Sequence, residues 1–406
     1  MLAALFLVST VSNIDRQIMA VAIEPIKAEF QASDTHMGLL TGAAFALFYA
    51  TLGLPIARLA DHGNRKRIIA ISITFWSLMT AVCGVAQNFT QMFLARLAVG
   101  GGEAGALPTS QSLIADYFPP SVRGRALGIF IMAAVAGYAI ALIGGTHMAS
   151  EYGWRPMFIT FGLCSLSIVG VVHLVLREPR LMMQLPAKQE REGLRSSFRA
   201  LHAKPSFKWQ VAGAVFFGVV SYGALIFILS HLIRSFGMPL ARAGTVYGVI
   251  SAATAIAGAL FGGYLTDRIS RHSAANIPLF TGVLLLAALP FYLGALLTHS
   301  LAFFAIGATI GGSLMFSAGP PLFAGIHIVC GSRRRATAIA MLYFMMNSVG
   351  LGGGPVLTGM ISDSFAQTYG PAMGLRMAMV IAFTALLPGG LCFLIAARTM
   401  KADAEQ

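Results

Sequence analysis

Four ionisable side chains stand inside long apolar stretches: Asp15 and Arg16 in the first, Arg96 and Glu103 in the fourth. A charge at the centre of a bilayer costs about 2.5–3.5 kcal/mol or more, so each must be paired or face water. Arg96 and Glu103 are seven residues apart, which on a helix puts them on one face, two turns or about 10 Å apart. Two carboxyls and two guanidiniums in a low-dielectric setting form a coupled set. Burial and a neighbouring cation act oppositely on a carboxyl, so a small rearrangement can bind or release a proton. Arginine stays charged throughout. Asp15 and Glu103 are thus candidate proton carriers, with Arg16 and Arg96 exchanging partners or meeting an anionic headgroup. The competing reading is a structural charge network that staples the two helices together.

The elements that hold these residues follow from composition. Of the 406 residues, 57% are hydrophobic and only 11% charged, against roughly 25% in soluble domains. So little charge cannot cover an aqueous surface, and the outside must face lipid. Apolar runs separated by charged or Pro/Gly breaks predict helices near 1–28, 36–60, 67–87, 90–116, 122–149 and 155–177, and then 209–235, 239–265, 275–298, 300–329, 336–362 and 371–398. The net charge of +13 could suggest nucleic acid. Of its 28 Lys and Arg, however, only five fall in one set of loops and three inside spans (Arg16, Arg58, Arg96), the rest lying in the alternate loops and the C-terminal tail. This positive-inside bias predicts a multi-pass inner (plasma) membrane protein with both termini cytoplasmic, and it leaves no soluble face for nucleic acid.

The polar gap holding Arg177, Arg180, Lys188, Arg191, Arg195, Arg199, Lys204 and Lys208 divides the chain. The expected organisation is a six-helix bundle over 1–177, a cytoplasmic linker over 178–208 that includes an amphipathic helix over 192–203, and a second bundle over 209–406. The halves repeat. Ala57-Arg58-Leu59-Ala60-Asp61 with Arg65 and Lys66 after the second helix is echoed by Gly263-Tyr264-Leu265-Thr266-Asp267-Arg268 after the eighth. Ser121-Val122-Arg123-Gly124-Arg125-Ala126 at the fifth helix is echoed by Ser332-Arg333-Arg334-Arg335-Ala336 at the eleventh. Offsets of 206 and 211 residues nearly agree, as duplication requires.

Asp61 with Arg65 and Lys66 resembles the helix 2–3 signature of the major facilitator superfamily, and Arg96-x-x-x-Gly100-x-Gly102 its helix 4 motif. The glycines at 350–354 with Pro355 look like a displaced copy of its helix 5 motif; helix 5 itself keeps Gly137, Gly144 and Gly145. Within the superfamily the chain resembles the spinster group, relatives of animal sphingolipid and lysophospholipid transporters. Asn13-x-x-Asp15-Arg16-Gln17, Gly53-Leu54-Pro55-Ile56-Ala57-Arg58-Leu59-Ala60-Asp61 and Gly102-Glu103-Ala104-Gly105 carry that likeness. His62 and Asn64 depart from it, standing where a cation and a glycine are usual. The resemblance implies an all-α fold of twelve transmembrane helices in two pseudo-symmetric six-helix bundles, with helices 1 and 4 lining a central cavity. It also implies alternating access driven by protons, with no other cofactor.

On this reading Asp61, Arg65, Lys66, Asp267, Arg268 and Arg125 form a cytoplasmic gate. Their contacts exist only when that side is shut, so they bias the access equilibrium. Phe45, Phe48 and Tyr49, then Phe216, Phe217 and Tyr222, then Tyr343, Phe344 and Asn347 are candidate walls for an amphiphile. His173 and His231, near span ends, are expected at the membrane interface. The four cysteines (Cys83, Cys164, Cys330, Cys392) lack metal or disulfide spacing and read as packed hydrophobes. No phosphate loop, zinc spacing or nucleophile constellation is present, and Ser110 and Ser112 have no arranged histidine, so catalysis is not expected. The expected ligand is a lipid-like amphiphile of lysolipid or sphingoid type. The alternatives are a small organic anion or drug-like compound, or a receptor that transports nothing. The chain is expected to work as a monomer among membrane lipids.

Overall fold

The computed structural model describes residues 1–179, 194–270, 273 and 275–403, and within helices the side chains at 54, 57, 58, 61, 62, 120, 121, 194, 195, 197, 332, 333 and 336 fall outside that description. The expectations for Arg180, Lys188 and Arg191, and for the side chains of Arg58 and Asp61, therefore lie outside the described residues.

Among the described residues twelve long helical runs follow one another: α1 (2–30), α2 (34–62), α3 (Arg65–Cys83), α4 (89–117), α5 (120–152), α6 (Trp154–Val175), α7 (205–236), α8 (Leu240–Ser270), α9 (Asn276–Leu297), α10 (301–330), α11 (332–369) and α12 (371–403). A short helix, Leu194–His202, lies where the amphipathic segment was expected. There is no strand among the described residues. Ten of the runs are long and apolar enough to cross a membrane. The other two, α1 and α4, are the ones that carry the four internal charges. Large apolar side chains such as Ile71, Leu174, Leu260 and Phe303 are exposed on the outside, as a lipid-facing surface requires.

Local chemistry sets the boundaries. Asn64 Oδ1 accepts from the amide of Arg67 and Asn88 Oδ1 from that of Gln91, capping α3 and α4. The departure at Asn64 therefore has a structural use. Pro120, Pro205 and Pro371 occupy first helical turns, where the missing N–H is no loss. Gly153 (φ 91°) and Gly370 (φ 82°) make the matching turns that end α5 and α11. Gly331 (φ 63°) separates α10 from α11. The Gly319-Pro320-Pro321 and Gly352–Pro355 stretches, which interrupt the apolar pattern, are both helical.

Contacts group residues into two units, Met1–Pro186 with Gly237–Val249, and Ala187–Phe236 with Ile250–Gln406. In the first, α3 packs on α6 and α4, α4 on α2, and α1 on α5. In the second, α9 packs on α12 and α10, and α7 on α11 and α12. The α3–α6, α3–α4 and α1–α5 pairings match α9–α12, α9–α10 and α7–α11, which is the structural form of the sequence repeat. Close backbone approach makes the matching α1–α5 and α7–α11 contacts. A Cβ at Gly137 would lie 2.7 Å from Thr10 O, and one at Gly350 would lie 2.7 Å from the Gly218 carbonyl carbon.

Candidate functional site

Glycine places α4 against its neighbours and so builds the site. A Cβ at Gly100 would collide with the Phe45 carbonyl of α2, and one at Gly102 would lie 2.9 Å from Phe75 and Trp76 of α3. With both residues bare, α4 sits deep between α2 and α3, and Phe45 is buried against it. The helix breaks at Ala104 and Gly105, so Glu103 ends its first segment.

Glu103 is fully buried and points at α1. Its Oε2 accepts from Arg16 Nε at 2.7 Å and from Ser12 Oγ at 2.9 Å, while Oε1 has no partner. Arg16 keeps 27% of its side chain exposed, and its Nη2 is buried without a partner. Its guanidinium lies over the rings of Phe45 at 4.8 Å and Tyr49 at 4.9 Å, which stack on each other at 5.3 Å. Arg96 is buried beside the same ring, 5.6 Å from Phe45, and its Nη1 is 3.4 Å from the backbone carbonyl of Asp15.

Asp15 is fully buried, and neither carboxylate oxygen has a hydrogen-bond partner. Trp76 Nε1, Ser77 Oγ and Thr80 Oγ1 of α3 and Arg96 Nε are likewise buried and unpartnered, and Trp76, Thr80 and Arg96 lie near the Asp15 carboxylate. A set of donors and a carboxylate this close, none of them bonded, has room to change partners at small cost. The structure thus brings Asp15, Arg16, Arg96 and Glu103 into one cluster with Phe45 and Tyr49. Phe48, one of the expected wall residues, is 40% exposed.

The expected gate residues are placed as follows. Arg65 is fully buried inside the first unit, where Nη2 meets Glu178 Oε1 at 2.5 Å and Nη1 meets Asp116 Oδ2 at 2.6 Å. Lys66 donates to the carbonyl of His173 at 2.7 Å, and His173 is exposed. Arg125 is exposed, and it is Arg123 that donates to the carbonyls of Ala115 and Phe118 where α4 ends. Asp267 and Arg268 are exposed at the end of α8. In the second unit Phe216, Phe217, Tyr222 and Asn347 are half-buried, Tyr343 and Phe344 exposed, and Tyr343 packs on Phe323 with centroids 5.5 Å apart.

His231 is fully buried, because α7 runs on to Phe236, whose ring covers it together with Phe304. Arg376, which the sequence reading did not single out, is buried in the second turn of α12. Its place inside an apolar helix was the available signal. Ser12 was missed altogether; its spacing of four from Arg16 was the clue. No group of three or more His, Cys, Asp or Glu is placed to hold a metal ion among the described residues.

The family model "Major Facilitator Superfamily" matches residues 5–355. The chain is similar to an "MFS-type efflux pump" of Mycolicibacterium smegmatis (strain ATCC 700084 / mc(2)155), with 31% identity over 404 residues, 98% of this chain and 92% of that protein. It is also similar to "Protein spinster homolog 1" of Xenopus tropicalis, with 27% identity over 434 residues, 99% of this chain and 81% of that protein. The crystal structure of a bacterial homolog to the human lysosomal transporter Spinster, inward-facing and unoccupied, superposes with a TM-score of 0.89 at 30% identity, covering 100% of this chain and 98% of that one. With a repeated six-helix plan, charges buried in α1 and α4, and full-length likeness to these proteins, the chain belongs to the Major Facilitator Superfamily and is a spinster-like, multi-pass membrane transporter.

Proposed function

We propose that the chain moves a lipid-like amphiphile of lysolipid or sphingoid type by alternating access, driven by protons carried on Glu103 and Asp15. The observation that carries this reading is the contact of Arg16 with Glu103 at 2.7 Å, made by a cation that is itself partly exposed, stacked on two aromatic rings and left with an unpartnered Nη2. With Glu103 ionised, Arg16 is engaged. A proton on Glu103 removes the negative charge and frees the guanidinium for a substrate anion, so proton binding and headgroup binding favour each other through one residue. Phe45 and Tyr49 supply apolar surface beside that cation, the combination an anionic amphiphile uses.

Asp15 supplies the second proton position. An ionised carboxylate with both oxygens unsatisfied at zero exposure is costly, and proton uptake removes that cost. Its loss would draw Trp76, Thr80 and Arg96 inward, a movement that shifts α1 against α3 and α4. The expected setting is the inner (plasma) membrane with both termini cytoplasmic, and a monomer suffices, since both units come from one chain.

Efflux or exchange of a small drug-like compound or organic anion is the second reading, favoured by the likeness to a protein named as an efflux pump. Proteoliposome counterflow with a lysophospholipid and, separately, a small carboxylic acid separates the two. Exchange of the lysophospholipid alone supports the first. Exchange of the acid alone overturns it.

A further inference from the structure

The second unit contains a buried polar cluster that the α1–α4 site does not use. His231 sits near the end of α7, with 0% of its surface exposed, and Arg376 of α12 keeps 7%. The final segment of α7, Ile228–Phe236, packs on the first segment of α12, Pro371–Thr384. There the Arg376 charge acts on the His231 ring. Phe236 holds that ring edge-on at 5.8 Å and Phe304 holds it at 5.7 Å, while Ser235 Oγ lies 3.1 Å from its Nδ1. The ring is therefore fixed on one side by packing and on one nitrogen by a hydroxyl, and its other nitrogen is free.

Arg376 Nε and His231 Nε2 both remain buried and unpartnered. No carboxylate lies within 4 Å of the Arg376 guanidinium among the described residues. A guanidinium taken out of water without a counter-charge is strongly unfavourable, and a long side chain ordinarily escapes by reaching the interface. Arg376 has not escaped. When Ser235 donates to Nδ1, Nε2 carries the ring proton, and the pair then presents two N–H groups with a net positive charge. That donor set complements an oxyanion, and arginine is the residue best suited to bind one.

We propose that Arg376 and His231 form an oxyanion subsite in the second unit, taking a carboxylate or phosphate group at the end of α7 and the start of α12. The subsite is independent of the Glu103 reading, because no residue is shared between the two clusters. Its oxyanion comes either from a free ion or from an anionic lipid headgroup, since both present the same oxygens.

The test uses the purified full chain and reads thermal unfolding in two arms: detergent with acetate or inorganic phosphate titrated in, and nanodiscs of phosphatidylcholine with or without phosphatidylglycerol. The native protein is expected to be stabilised in a saturable way in at least one arm. Arg376→Gln should weaken the apparent affinity at least about tenfold, and His231→Asn by about three- to tenfold, as the loss of charged and neutral hydrogen bonds implies. Stabilisation in the first arm identifies a free anion; stabilisation only by phosphatidylglycerol identifies a lipid headgroup. If Arg376→Gln does not fold, Arg376→Lys takes its place, retaining the charge but losing the fork and so binding more weakly. No stabilisation of the native protein in either arm overturns the subsite. So does equal stabilisation of native protein and all folded variants.

Discussion

Replacing Glu103 with Gln isolates the electrostatic step in the proposed mechanism. Two unit charges about 4 Å apart attract by about 4 kcal/mol at an effective dielectric near 20. Arg16 keeps 27% of its side chain exposed, so water recovers part of that energy when the pair opens, leaving about 2 kcal/mol. Glutamine keeps an oxygen able to accept from Arg16 and Ser12, so the fold should survive the change. With the charge gone, Arg16 is about 2 kcal/mol easier to recruit, which corresponds to about a 10- to 30-fold gain in affinity for an anionic headgroup. Equilibrium binding of lysophosphatidylglycerol to native and Glu103→Gln protein across pH 5–8, with lysophosphatidylcholine as control, measures it. The variant should bind the anionic ligand more tightly, with an affinity that no longer follows pH. A folded variant whose affinity and pH dependence match those of the native protein refutes the reasoning.

Other outcomes follow from the same structure. Gly100→Val pushes a side chain into the Phe45 backbone and should cost about 1–3 kcal/mol through overpacking, read as a fall in Tm together with loss of transport. Arg65→Ala removes the buried guanidinium that meets both Glu178 and Asp116 and should cost about 3–5 kcal/mol; Arg65→Lys should rescue it poorly, because it cannot form the fork. Glu29, beyond the end of the predicted first span, meets Arg155 and Trp154. Burial pushes its carboxyl up, but the Arg155 and Trp154 hydrogen bonds and the Arg155 charge outweigh this and hold it below the usual range. Its contribution is therefore present above the unfolded carboxyl value, about 4.3, and is lost as pH falls through the lower folded value. Acid titration should change the Trp154 fluorescence, and Glu29→Gln should flatten that transition.

The helices were legible because each is a long apolar run and its breaks are Pro, Gly or charge. The site was half legible. Asp15, Arg16, Arg96 and Glu103 stand out because a charge in an apolar stretch is expensive wherever the helix lies. Their pairing is not visible, since a spacing of seven relates Arg96 to Glu103 along one helix but says nothing of Arg16, 87 residues away. Arg65 shows the same limit: its partner Glu178 lies 113 residues on, in what reads as linker. The burial of His231 and Arg376 was not visible because distance from a span end does not determine it. That depends on which rings cover the residue, and Phe304 belongs to a different helix.

Proton movement during substrate exchange tests the central claim most directly. Liposomes containing the protein and a trapped pH-sensitive dye are given an outward lysophospholipid gradient. The native protein should change the internal pH in step with substrate flux, whereas the Asp15→Asn/Glu103→Gln double variant, folded and still binding, should not. Substrate flux with no pH change in the native protein, or an equal pH change in the double variant, contradicts the account.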